Sequence, residues 1–208
     1  MTRGRFITLE GGEGAGKSTQ LRALAQALRA RGLEVVETRE PGGSEGAEAI
    51  RALLLTGEPD RWSPRAEALL FAAARADHVE KTIRLALDRG AWVLSDRFLD
   101  SSRAYQGMGE LSDDDILTLH AIGSANFVPD RTFFLTLPEA EAQQRAWSRD
   151  GEAADRIGGR DAEFHRRVAE AFARFAAQEP DRIRAIDAAG HPDAVTSRLL
   201  AALGDLLP

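Results

Sequence analysis

Five short apolar segments alternate along the chain with stretches whose apolar residues recur at helical spacing. The segments are Phe6 to Leu9, Leu33 to Thr38, Trp92 to Ser95, Thr132 to Leu137 and Ile183 to Ile186. Each is enriched in β-branched, aromatic or Leu side chains and reads as a strand. Between the first two, Leu21, Leu24, Ala25 and Leu28 fall at i, i+3, i+4 and i+7, which marks one face of a helix stopped by Gly32. A longer helix is predicted from about Pro64 to Arg89, with Leu69, Val79, Ile83 and Leu87 on one side and Gly90 at its end. Phe164, Val168, Ala171 and Phe175 mark another, closed before Pro180, and Val195, Leu199, Leu203 and Leu206 mark the last. Strands that alternate with helices imply crossover connections, so the expected fold is α/β, a five-stranded parallel sheet flanked by helices on both faces. No repeat and no linker-like stretch interrupts the chain, and residues 1–208 are expected to form one domain. Ser148 to Gly159, rich in Gly, Asp and Arg and without periodicity, reads as a mobile loop.

Composition narrows the partners. Of 208 residues 43% are hydrophobic and 29% charged, enough apolar surface for a core and unlike a disordered chain. The formal net charge of -6 repels polyanions and argues against nucleic acid, although a local pocket of arginines remains compatible with it. No apolar run approaches the ~20 residues that span a bilayer, and no signal-peptide pattern precedes Glu10; a cytoplasmic protein without a membrane partner is expected. The chain has no Cys, which excludes disulfides, Cys-based zinc sites and thiol chemistry.

The chemistry lies first in Gly11-Gly12-Glu13-Gly14-Ala15-Gly16-Lys17-Ser18, which fits GxxxxGK[ST] between a predicted strand and a predicted helix. There the glycines let successive backbone N–H groups and the positive helix end face phosphate oxygens. Lys17 would reach the β and γ phosphates of a nucleotide such as ATP, and the Ser18 hydroxyl would ligate Mg²⁺. Only two of the 27 basic residues are lysines, Lys17 and Lys81, so a lysine at this position is not generic filling. A second acidic point, Asp96, ends the apolar run Ala91 to Ser95; beside such a loop it is a candidate Mg²⁺ carboxylate. In Arg39-Glu40-Pro41-Gly42-Gly43 the Pro and Gly residues exclude helix directly after the second strand, which puts Arg39 at the carboxyl end of the sheet, where α/β ligands bind. A guanine-reading Asn/Thr-Lys-x-Asp motif is missing, since the residues two beyond Lys17 and Lys81 are Thr19 and Ile83; a regulatory GTPase is excluded.

The strings Glu10 to Thr19, Thr38 to Gly43, Phe71-Ala72-Ala73-Ala74-Arg75, Asp96-Arg97-Phe98 and Asp100 to Gly107 together closely resemble bacterial thymidylate kinase, in order along the chain. The resemblance implies a P-loop NTPase fold with a small lid loop at about 148–159 and a homodimer. It implies transfer of the γ-phosphoryl group of ATP to dTMP with Mg²⁺, giving dTDP and ADP. The nearest alternative is another P-loop nucleotide or nucleoside kinase, against which the Thr38–Gly43 and Asp96–Gly107 strings argue. The nucleotide-binding set it implies is Gly11, Gly12, Glu13, Gly14, Ala15, Gly16, Lys17, Ser18 and Thr19. Phe71 would stack on thymine, and Arg75, four residues on and so on the same helix face, would donate to a base carbonyl. That donor would face an amino group if the base were cytosine. Ser101 or Ser102 and Gln106 would complete base recognition, Tyr105 would pack beneath the deoxyribose, and Glu13 would accept the 3′-hydroxyl. Arg39, Arg51 and Arg97 would hold the dTMP phosphate through forked donors. No Arg lies between Gly11 and Ser18, which resembles the bacterial type that supplies catalytic arginines from the lid; Arg149 and Arg156 are expected to join Lys17 and Arg97 in catalysis, with Arg145 a further candidate.

Overall fold

The computed structural model describes residues 3–58, 60–138, 140–142, 144–145 and 156–208. Five strands, β1 (Phe6–Glu10), β2 (Val35–Arg39), β3 (Trp92–Asp96), β4 (Arg131–Thr136) and β5 (Ile183–Asp187), form one sheet in the order β2-β3-β1-β4-β5. Every pairing is parallel. Alternation along the strands sorts the side chains between two faces. Ile7, Leu9, Trp92 and Leu94 pack with Leu21, Leu24 and Leu28 of α1 (Lys17–Arg29) and Val195 and Leu199 of the C-terminal helix Pro192–Ala202. Phe6 and Val93 point the other way, toward Val79, Ile83 and Leu87. Both faces are thereby buried, which is why these strands read as continuous apolar runs.

The predicted helix from Pro64 to Arg89 is not one regular helix. It runs as α3 (Pro64–His78), a π-turn over Val79–Ile83 and a short continuation, α4 (Arg84–Asp88). Leu69, expected on the buried side, is 56% exposed. The reason is geometric: a π-turn takes in one extra residue, which rotates the following side chains back by about 100°. Unbroken 3.6-residue counting from Leu87 lands on Leu69, whereas the real buried face of α3 carries Glu67, Ala68, Ala74, Arg75 and His78. The terminal helix also closes earlier than its periodicity suggests, at Ala202, with Leu203 as its cap and Leu206 beyond it, though both still pack on the core. Leu33 and Leu137 lie just outside β2 and β4. Three helices carry no periodic signature that announces them: α2 (Glu45–Leu55), α5 (Leu99–Gln106) and α6 (Asp113–Ser124).

Candidate active site

Strands β1, β2 and β3 deliver Glu10, Arg39 and Asp96 to the same edge of the sheet. Directly after β1 the chain turns at Gly11, whose φ is +141° and where a Cβ would lie 2.8 Å from the Leu135 carbonyl oxygen, so a side chain is excluded twice. The loop then feeds α1, which starts at Lys17 with no side-chain cap and no acidic residue in its first turn. Its leading N–H groups and positive end are left for an anion. Lys17 is 6% exposed and its Nζ donates to the carbonyls of Gly11 at 3.1 Å and Gly12 at 2.7 Å. Burial, helped by the nearby Arg97 cation, brings its pKa down to about 8. Ser18 Oγ donates to Asp96 Oδ2 at 2.5 Å, so the hydroxyl and the carboxylate share one corner.

Arg97, the next residue, sits in the left-handed region at φ +73°, a conformation a non-Gly residue keeps only when its surroundings hold it. They do so on several sides. Its guanidinium pairs with Glu13, donates to Gly11 O and to Ser101 Oγ, both at 3.2 Å, and lies 5.1 Å from the centre of the Tyr105 ring. Behind it Glu10, fully buried, accepts from the Phe98 backbone N–H at 2.8 Å and from Ser101 Oγ at 2.5 Å. Burial, with Asp100 nearby, pushes the Glu10 carboxyl up to about 8.

The opposite wall is built by α3 and α5. Arg75 is 3% exposed; its Nε donates to Glu40 at 2.8 Å and its Nη2 to Phe98 O at 3.2 Å and Ser102 Oγ at 2.8 Å. Between the two walls lies a cleft of about 580 Å³ lined by residues 13–19, Arg39, Pro41, Arg51, Phe71, Arg75, Asp96, Arg97, Ser101, Ser102, Tyr105 and Gln106. A phosphate-binding loop and a deep arginine-lined pocket thus face each other across a space of ligand size.

Residues 9–199 match the family model described as thymidylate kinase. The chain is 65% identical over 206 residues to a thymidylate kinase of Rhizorhabdus wittichii, covering 99% of each protein. The chain belongs to the thymidylate kinase family. The corresponding kinase of Caulobacter vibrioides is 50% identical, over 96% of this chain and 95% of that one. The structure of thymidylate kinase from Ehrlichia chaffeensis superposes with a TM-score of 0.78 at 31% identity, covering 97% of this chain and 98% of the other. The P-loop NTPase fold of the family is the one described above.

Of the expected site residues of this family member, Gly11 and Gly12 form the turn after β1 and do not line the cleft. Those just placed on the cleft, from Glu13 to Gln106, come together from five separate stretches of sequence. Arg39 and Arg51 reach the same cleft from its rim: Arg39 pairs with Glu48 at 3.1 Å, and Arg51 donates to Pro41 O at 2.6 Å. Arg145 also lines it, paired with Glu141. Arg149 and most of the predicted lid loop lie outside the described residues. Arg156 is described, with its side chain 1% exposed; it donates to Glu67 at 2.5 Å and to Leu54 O at 3.0 Å. Glu67 also takes Arg160 and Gln106 Nε2, each at 3.0 Å, so one carboxylate gathers two arginines and a cleft-lining amide.

Sequence reasoning gave no role to Glu10, Glu40, His78, Asp100 and Arg103. Asp100 is fully buried and accepts from Arg103 at 3.0 Å and from both terminal nitrogens of Arg182 at 2.6 and 2.9 Å. Arg103 further binds Asp113 through Nε at 2.8 Å and Nη2 at 2.9 Å, and Glu179 at 2.6 Å. These ions hold α5 from behind while Ser101, Ser102, Tyr105 and Gln106 present to the cleft. The available signal was the density of Asp and Arg in Asp100 to Arg103, which looks like solvated surface when partners up to 82 residues away are invisible.

Proposed function

We propose that this chain phosphorylates dTMP to dTDP with ATP as donor, residues 1–208 acting as one domain. The carrying observation is the single cleft with Lys17, Ser18 and Asp96 at one end and the buried Arg75 guanidinium at the other. The P-loop N–H groups and the start of α1 would take the ATP phosphates, with Lys17 turning from its loop carbonyls to the β and γ groups. The Ser18 hydroxyl and Asp96 carboxylate are hard oxygen donors side by side, a set that suits Mg²⁺, which takes few protein ligands and completes its shell with phosphate and water. Bound there, Mg²⁺ would neutralise charge on the β and γ phosphates. Among the described residues no cluster of three or more acidic or His ligands competes for it.

At the acceptor end Phe71 would stack on the base, and Arg75, with Ser102 already on its Nη2, would donate to the thymine carbonyl. Tyr105, under Arg97, would pack against the sugar, and Glu13 would accept its 3′-hydroxyl. Arg97, with Arg39 and Arg51 on the rim, would hold the acceptor phosphate in line for attack on the γ phosphorus, with ADP leaving. Arg97 suits this work because, although burial opposes its charge, its surroundings, with Glu13 and Asp96 as the ionised neighbours, hold it protonated. Arg149 and Arg156 would bring further positive charge to the transferring phosphoryl group, which for Arg156 requires release from Glu67.

One further observation favours the homodimer that the family reading implies. Leu69 of α3 is 56% and Ile122 of α6 80% exposed, on two helices that pack together, an apolar surface suited to a second copy of the chain as a homodimer. Among the described residues no helix is long and apolar enough to cross a membrane.

A coupled ADP-release assay with ATP and Mg²⁺ against a panel of nucleoside monophosphates tests the assignment: the largest kcat/KM is expected for dTMP, and preference for AMP or CMP overturns it. Arg75→Ala is expected to weaken dTMP by about 1.5 to 3 kcal/mol, roughly ten- to a hundredfold, with ATP affinity nearly unchanged. Titration calorimetry with each nucleotide checks this; equal losses for both would place Arg75 outside the acceptor site.

A further inference from the structure

Arg75 has five N–H donors, and within the described residues three partners engage Nε and Nη2 while Nη1 takes none. What fixes that arrangement lies behind the cleft. Glu40, 5% exposed, accepts Arg75 Nε on Oε2 and meets His78 Nδ1 with Oε1 at 3.0 Å. His78, fully buried, meets Thr38 Oγ1 through Nε2 at 2.7 Å. Burial alone would raise the Glu40 pKa, but Arg75 and His78 outweigh it and keep the carboxylate ionised. An ionised carboxylate only accepts, so His78 Nδ1 carries hydrogen and donates; in the neutral ring Nε2 then accepts from the Thr38 hydroxyl.

We propose that Glu40, itself held by His78 and Thr38, is a positioning residue that turns the Nη1 edge of Arg75 into the acceptor-base end of the cleft. Base discrimination then belongs to the chain Thr38–His78–Glu40–Arg75. The guanidinium is planar, so fixing Nε on Glu40 and Nη2 on Phe98 O and Ser102 fixes the direction of Nη1. Its plane is further steadied 5.2 Å from the Phe98 ring centre. Rigidity is what selectivity needs here. A base with an amino group in place of the carbonyl sets donor against donor, and an arginine free to swing aside would relieve that clash.

The packing of the following loop fits this role. At Gly43, φ +89°, a Cβ would lie 2.4 Å from both His78 Nε2 and Thr38 Oγ1, so the backbone rests directly on that hydrogen bond. Thr82 Oγ1 clamps Gly43 O at 2.7 Å, and Arg51 holds Pro41 O. The same short segment therefore joins the base end of the cleft to the rim that carries Arg39 and Arg51.

The proposal rests on Arg75 reading the base, and its test separates the two. Steady-state kinetics with dTMP and dCMP, at saturating ATP, would be measured for the parent, Glu40→Gln, Arg75→Ala and the double variant, with Thr38→Val as a milder lesion that keeps the carboxylate. Gln offers an amide N–H to one of two donors, so Glu40→Gln is expected to raise the dTMP KM about tenfold or more, with kcat within about threefold and a reduced dTMP preference over dCMP. In the Arg75→Ala background it should add nothing. Thr38→Val should shift KM and preference in the same direction by less. A full additional loss in the double variant, or an unchanged preference in both Glu40→Gln and Thr38→Val, overturns the positioning role while leaving Arg75 as base reader. Should Arg75→Ala itself leave the dTMP KM unchanged, the site reading falls and the proposal with it.

Discussion

Replacing Lys17 by Ala is expected to lower kcat by about 10³-fold while leaving the protein folded. On the proposed reading the ammonium, now held on the Gly11 and Gly12 carbonyls, would meet the polyphosphate, and charge that builds on the transferring oxygens needs a fixed cation there. Its contribution to stability is small for a separate reason. Burial depresses the Lys17 pKa from 10.5 to about 8, so the fold pays to keep this side chain charged at neutral pH. Removing it deletes two hydrogen bonds to loop carbonyls but also that desolvation cost, and the melting temperature should move by only a few degrees. Single-turnover transfer and a thermal melt on the same preparation test both halves. A collapsed Tm with near-parental activity per folded molecule would refute the phosphate-binding assignment.

The opposite pattern is expected at Asp100→Asn. One amide cannot satisfy Arg103 and the two-pronged Arg182; Asp113 and Glu179 still pair with these guanidinium groups, but the fully buried anion between them is gone. Breaking such a set by removing one partner costs about 3–5 kcal/mol, a fall in Tm of roughly 10 °C for a chain of this length. Acid should reproduce part of the loss. Burial raises the Asp100 pKa, but Arg182 and Arg103 more than reverse this and hold it below the ordinary value. A carboxylate depressed in the native state contributes fully above the unfolded value of about 3.9, and that contribution vanishes as pH falls through the lower native one. The gap between parent and variant in denaturant titrations should hold steady from neutral pH to about pH 4 and narrow below it; a gap that does not narrow would show that Asp100 is not the titrating contact.

The two lesions also mark what a sequence discloses. That Lys17, Ser18 and Asp96 share one cleft was legible because their placement is local: a fixed spacing after one strand, and a carboxylate at the end of another. The five strands were legible because both sheet faces are covered and the runs stay apolar throughout. α5 escaped for the converse reason. All eight of its residues are buried, polar ones included, so it has no stripe for periodicity to find. Glu40 and His78 are 38 residues apart, and Asp100 and Arg182 are 82 apart; each looks like ordinary surface charge until the topology pairs it. Arg156 is a candidate only through the family resemblance, and nothing along the chain announces that Glu67 takes hold of it.

The π-turn at Val79–Ile83 gives the segment from Phe71 to Leu87 a requirement that no single side chain expresses. Upstream, Phe71 and Arg75 must face the cleft; downstream, Ile83, Ala86 and Leu87 must face the core. A regular helix satisfies one set or the other, since the two directions differ by about one residue's rotation. The count of residues between Arg75 and Ile83 is therefore a specification in its own right. Descendants of this gene can exchange the exposed side chains of that stretch freely, but a single codon lost from it would trade the acceptor pocket against the hydrophobic interior, so its length is expected to be inherited more strictly than its spelling.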